Sequence, residues 1–321
     1  MDVTINYVTQ DWWTWWFALY LFFGGMGAAV MAVAFLTDMY LKKHPNLVIW
    51  GMISSIVMLS FGSGMLFVHL LDHLAVINVL NPMVLLNKPD AWIAWGTQFI
   101  TWMMIWGVLY PLPYLVEHPF FLKIPMVGRI LRLSFIGRIA AFCERHHKIL
   151  GWLATINGIG VAVYTGLLLQ SFPAIPLWHN PGVPVLFTIS AFSTAMAFLL
   201  IMLNVFFKED ERDIVHIFYE RIDLILISAE LVVIFSFYQY LQRPGGESAA
   251  SISFALLFHD LGWLVGFICF GLIVPFLLEL KGVIKGWSTH IPIITASILV
   301  IMGGYLLRHY FMYAGVYAYP W

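Results

Sequence analysis

The sequence predicts an all-α membrane protein of eight transmembrane helices, and three observations lead there. Of its 321 residues, 61% are hydrophobic and 10% are charged, with a mean hydropathy of +0.87. No soluble core needs that much apolar side chain. The apolar residues gather into stretches of about twenty or more, the length a helix needs to cross hydrocarbon. The short segments of alternating polarity that mark a membrane β-barrel are absent.

In chain order the predicted spans cover residues 14–36, 47–71, 92–116, 149–171, 183–207, 222–241, 253–280 and 290–313. An even number places both termini on one side. Thirteen of the sixteen Lys and Arg lie in the loops after spans 1, 3, 5 and 7, from Lys42 and Lys43 to Lys281 and Lys285. The opposite face holds Lys88 and Arg243, and Arg308 lies inside span 8. The positive-inside rule therefore makes the odd loops cytoplasmic and both termini periplasmic or extracellular. A net charge of −1 gives no sign of a nucleic-acid partner. The opening Met-Asp-Val-Thr-Ile-Asn has no basic stretch, so a cleaved signal peptide is not expected.

Trp12, Trp13, Trp15 and Trp16 open span 1, and Trp92 and Trp95 open span 3; they read first as an outer aromatic belt and second as a docking surface. The long basic loop 118–148 contains Val127-Gly-Arg-Ile-Leu-Arg-Leu-Ser-Phe-Ile-Gly-Arg, whose mixture of Arg and large apolar residues fits a helix anchored on an anionic leaflet. Span 3 ends Leu112-Pro-Tyr-Leu-Val-Glu117 and span 7 ends Val274-Pro-Phe-Leu-Leu-Glu279, in matching places of two four-span halves. Spans 1 and 5 both carry small-residue stretches, Gly24–Ala29 and Ser190–Ala197. A duplication would give two four-helix bundles, residues 1–171 and 172–321.

Polar groups inside the spans are costly in hydrocarbon and therefore informative. Gly158–Gln170 in span 4 carries glycines at 158, 160 and 166 together with Tyr164. It reads either as a helix-packing seam or as the wall of a buried pocket. Span 2 ends His69-Leu-Leu-Asp72-His73, three groups that can share one helical face or form a solvated helix end. Tyr20 lies near the same surface. Asp223 and Glu230 sit seven apart in span 6, and Arg308 calls for a counter-ion, with Glu230 or Asp260 as candidates. A structural ion pair and a proton relay look alike here. Cys143 and Cys269 form no CxxC pattern; His69 and His309 both lie towards the outer side, but His309 has aromatic neighbours on both flanks and no second pair exists inside. Neither an iron–sulfur cluster nor a haem is expected in this chain.

The order of these motifs resembles the polysulfide reductase membrane subunit family, the NrfD or PsrC-like proteins. The matching pieces run almost the whole chain: Trp16-Phe-Ala-Leu-Tyr-Leu-Phe-Phe-Gly-Gly; His69-Leu-Leu-Asp with Asn81-Pro; Lys88-Pro-Asp-Ala-Trp-Ile-Ala-Trp-Gly96; Tyr164-Thr-Gly-Leu-Leu-Leu; Pro176-Leu-Trp; Pro184-Val-Leu-Phe-Thr-Ile-Ser; Ala229-Glu-Leu; Gly271-Leu-Ile-Val-Pro; and Gly303-Gly-Tyr-Leu-Leu-Arg-His-Tyr. The resemblance implies a quinone-reactive subunit of a prokaryotic inner membrane with no redox cofactor of its own. It implies an extrinsic ferredoxin-like partner carrying [4Fe–4S] clusters and, beyond it, a molybdopterin or other catalytic subunit. It places the quinone, menaquinone or ubiquinone, between span 1 and Tyr164. Where the polysulfide reductase type offers Asn and His from span 1, this chain has Phe17 and Tyr20, a departure that shifts the proton-donor role to His69 or Asp72. Two rivals stand beside this reading. One is a proton-translocating module using Asp223, Glu230, Glu279 and Arg308, and the other is a structural anchor.

Overall fold

Span 1 forms the centre of the molecule. In the computed structural model, which describes residues 7–69, 78, 80–207, 214–243, 248–285 and 290–318, it runs as an α-helix over Trp15–Leu36 and continues as a π-helical turn over Thr37–Leu41. Almost every side chain from Phe17 to Phe35 is buried. Span 1 packs against spans 2, 4, 5 and 8. The two small-residue stretches are the reason for one of these contacts. A β-carbon at Gly25 would meet Ala191 Cβ of span 5 at 3.3 Å, so the backbones approach as closely as a methyl group allows.

Among the described residues, eight helices are long and apolar enough to cross a membrane: Trp15–Leu41, Pro45–Val68, Trp92–Glu117, His147–Gln170, Gly182–Phe207, Ile214–Gln242, Gly262–Lys285 and His290–Tyr313. Span 6 begins eight residues before the predicted 222. Span 7 differs more. The expected continuous 253–280 stretch is interrupted, and Ala249–Phe258 forms a separate helix closed by His259. Asp260 is the cause: its Oδ1 accepts from the N–H groups of Gly262 (2.7 Å) and Trp263 (3.1 Å), which starts a new helix there. That helix is π-wound over Gly262–Ile273 and α-helical from Val274.

The two prolines of the repeated motif have corresponding places. Pro113 and Pro275 are each the second residue of a helix that follows an interruption in α geometry, where a missing N–H costs least. The acids behind them diverge, for Glu117 is exposed and Glu279 buried. The 118–148 loop is helical over Pro119–Lys123, Pro125–Leu131 and Ser134–Arg145.

Both chain ends lie at the same end of the molecule. Strand β1 (Val8–Thr9) pairs antiparallel with β2 (Val316–Tyr317), Val8 opposite Tyr317. Gln10 strengthens this clasp, donating from Nε2 to the carbonyls of Met312 (2.6 Å) and Trp13 (2.9 Å). Of the tryptophans assigned to a belt, Trp12, Trp15 and Trp16 are exposed. Trp13 instead turns inward and stacks on Phe17 and Trp178, with centroids 4.0 and 5.5 Å away. An indole there covers more apolar ring surface than it could at the lipid interface.

Candidate functional site

Tyr20 on span 1 and Tyr164 on span 4 face each other and hydrogen-bond hydroxyl to hydroxyl. Both rings are almost fully buried, at 3% and 2% exposed. Helix spacing explains how they arrive there. The glycines of Gly158–Gln170 let span 4 fit against three neighbours: Gly158 lies against Ala28 and Ala32 of span 1, Gly160 against Phe99 of span 3, and Gly166 against Pro184 of span 5. The same stretch is thus a packing seam and the carrier of Tyr164. Gly96 of span 3 completes the slot, since a β-carbon there would collide with the Tyr164 ring.

A phenol has one proton to give and lone pairs to receive. When one tyrosine of the pair donates to the other, the acceptor still has its own O–H. One O–H of the pair is therefore left over, in largely apolar surroundings. Phe17, also buried, has its centroid 5.3 Å from that of Tyr20 and is held in turn by Trp13. Trp178 fixes this stack by donating from Nε1 to the Phe311 carbonyl at 2.7 Å. Phe17, Tyr20 and Tyr164 are brought together. His69 is the last described residue of the span 2 helix; its side chain and Asp72 lie outside the described residues.

The other candidates converge elsewhere. Arg308 is fully buried and donates to the Ser190 hydroxyl (3.2 Å), the Gly304 carbonyl (2.6 Å) and the Phe187 carbonyl (3.2 Å). Of the two proposed counter-ions, Glu230 is the one that lies near Arg308. Asp260 is committed to Gly262, Trp263 and the Tyr310 hydroxyl. These donors, the Trp263 N–H foremost, hold the Asp260 carboxyl below the usual carboxylate range. Also on span 6, Asp223 is buried near Ser193 and near Glu279 of span 7, and neither of its carboxylate oxygens makes a hydrogen bond among the described residues. Among the described residues no cluster of His, Cys, Asp and Glu is arranged to hold a metal ion.

One buried acid had no signal in the sequence. Asp38, in the π-turn of span 1, accepts from the His44 N–H (2.7 Å), the Tyr110 hydroxyl (2.8 Å) and the Tyr114 hydroxyl (3.0 Å). His147 stacks on Tyr110 at 4.0 Å and brings Nε2 to 3.9 Å from Asp38. The ends of spans 1 to 4 thus meet at one carboxylate. Next to it the Thr37 hydroxyl donates to Val33, so it accepts from Tyr219 of span 6 at 2.8 Å. In the sequence Asp38 sits beside Lys42 and Lys43 and reads as a solvated helix end.

The family profile described as polysulphide reductase, NrfD, matches residues 4–320. The chain belongs to that family. It is similar to Protein NrfD of Escherichia coli, with 25% identity over 94% of each protein. It resembles the C subunit of the polysulfide reductase of Wolinella succinogenes to the same extent, 25% over 94% of each. A Protein NrfD homolog of Haemophilus influenzae is 25% identical over 68% of this chain and 66% of its own length. Membership accounts for the motif order from Trp16 to Tyr310, and it makes this chain a membrane subunit of the respiratory oxidoreductase type.

Proposed function

We propose that this chain is the quinone-reactive membrane subunit of a multi-subunit oxidoreductase. It would exchange electrons between membrane quinone and the [4Fe–4S] clusters of an extrinsic ferredoxin-like subunit, behind which a molybdopterin or other catalytic subunit stands. The observation that carries this reading is the Tyr20–Tyr164 pair, a single directed hydrogen-bond donor in an otherwise apolar, aromatic wall. A flat ring with carbonyl ends is the ligand such a wall suits. Quinone reduction takes up two electrons and two protons. The electrons come from the partner's clusters. The phenol pair orients one carbonyl, and His69 and Asp72 exchange protons with the aqueous phase at the end where the chain termini meet.

In this reading the spans form two four-helix bundles in a prokaryotic inner membrane, with both termini outside. The cluster-bearing partner docks on that outer face. The test is electron transfer in the purified complex. Dithionite-reduced clusters should be reoxidised by added menaquinone or ubiquinone analogue, and Tyr164→Phe should slow this at least tenfold. An unchanged rate in the variant, or no reoxidation in the wild type, refutes the assignment.

A second reading, a proton-translocating module, is favoured by the buried polar groups of spans 5 to 8. Arg308 donates to Ser190 with Glu230 nearby, and the buried carboxyls of Asp223 and Glu279 are neighbours. Neighbouring buried carboxyls are places between which a proton can pass. The two readings are compatible, since a quinone subunit that also moves protons would need both features.

A further inference from the structure

Spans 2 and 5 each pack against span 1 and leave a cleft between them at the Lys- and Arg-rich end of the protein. Its volume is about 650 Å³. Asn46, Trp50 and Ser54 recur every four residues, so one face of span 2 forms one wall. The opposite wall includes Phe206 and Phe207, from the Met202–Phe207 stretch in which span 5 turns π-helical. Irregular turns of this kind gather at functional sites.

The polar end of the cleft is built from His118 and Asn46, whose Nε2 and Oδ1 lie 3.2 Å apart. Because Asn46 Oδ1 only accepts, the hydrogen sits on His118 Nε2. His118 Nδ1 is shielded from solvent and meets no partner among the described residues. A buried polar atom of that kind calls for a ligand. The apolar end opens to the bilayer, for Phe206 is 72% and Phe120 51% exposed on a chain of membrane-length helices. Positive charge stands close to the lining: Lys123 closes the short helix bearing Phe120, and Arg132 reaches the carbonyl of Leu122 at 3.4 Å.

We propose that this cleft is a binding site for one anionic phospholipid of the leaflet at the basic end. An acyl chain lies along Trp50, Phe206 and Phe207. His118 keeps Asn46 through Nε2, and its Nδ1 accepts from a headgroup hydroxyl, while Lys123 and Arg132 supply the preference for net negative charge. The site is independent of the quinone assignment.

Native mass spectrometry of the detergent-purified full-length protein tests this, with phosphatidylglycerol and phosphatidylcholine of identical acyl chains as probes. The wild type should hold one phosphatidylglycerol at least tenfold more tightly than phosphatidylcholine. Ser54→Trp, which fills the cleft, should abolish that retention. His118→Ala should bind both lipids alike. Phosphatidylglycerol should also raise the melting midpoint of the wild type and not that of His118→Ala, a comparison that does not depend on Ser54→Trp folding. Equal binding of both lipids by the wild type, unchanged retention in Ser54→Trp, an equal thermal shift in His118→Ala, or displacement of the lipid by a quinone analogue would each overturn the proposal.

Discussion

Tyr20 and Tyr164, 144 residues apart in the chain, share a hydroxyl–hydroxyl hydrogen bond at the buried contact of spans 1 and 4. Each phenol is the other's partner, so removing one leaves its neighbour unsatisfied in hydrocarbon. Either single change, Tyr20→Phe or Tyr164→Phe, should destabilise the protein by about 1–3 kcal/mol. The double variant should recover most of that stability, because both orphaned groups are gone. It should not recover quinone turnover. Thermal unfolding of the four proteins in detergent, set against turnover, separates the two roles. Additive losses of stability would mean the phenols do not depend on each other.

Gly96 makes a sharper steric demand. A methyl group there collides with the Tyr164 ring, and a packed interior yields only by shifting side chains at about 1–3 kcal/mol. Gly96→Ala should therefore lower the melting midpoint and weaken quinone-analogue binding together. Retained affinity at a lowered midpoint would show that the ring position does not matter to the ligand.

Arg308 tests the buried charge network. Truncation to Ala removes three buried hydrogen bonds at once, at about 1–3 kcal/mol for each group left unsatisfied. Lys should rescue little, since the guanidinium serves Ser190, Gly304 and Phe187 at once and an ammonium cannot span them. Under the proton-path reading, Glu230→Gln should abolish proton movement in reconstituted vesicles while quinone turnover persists. Persistence of both would end that reading.

Asp260 predicts a pH dependence. Its folded value is depressed by the N–H groups of Trp263 and Gly262 and by the Tyr310 hydroxyl. A depressed carboxylate stabilises the fold above its unfolded value of about 3.9, and that contribution is lost as pH falls through the lower folded value. Melting midpoints of the wild type should drop between about pH 5 and about pH 3 more steeply than those of Asp260→Asn. Parallel curves would contradict the assignment.

What the sequence revealed and what it hid follow one physical rule. Features that recur along one helix were legible: eight apolar runs, the small-residue stretches of spans 1 and 5 that meet at Gly25 and Ala191, and the Tyr164 stretch whose glycines face three neighbours. Features made by convergence were not. Asp38 looks like a solvated residue beside two lysines, and only the meeting of four helix ends buries it against Tyr110 and Tyr114. Ser190 looks like one small residue among several until Arg308 and Glu230 reach it from spans 8 and 6. The break in span 7 escaped because residues 253–280 stay apolar through it, while the interruption rests on one carboxylate that takes over two backbone N–H groups.

The most direct measurement of the central claim is a quinone-analogue binding titration on the purified subunit, comparing wild type with Tyr164→Phe and His69→Ala. The account predicts one bound analogue per protein molecule in the wild type and at least a tenfold loss of affinity in Tyr164→Phe, about 1.4 kcal/mol, with His69→Ala weakened as well. No binding by the wild type, or binding indifferent to Tyr164→Phe, would contradict it.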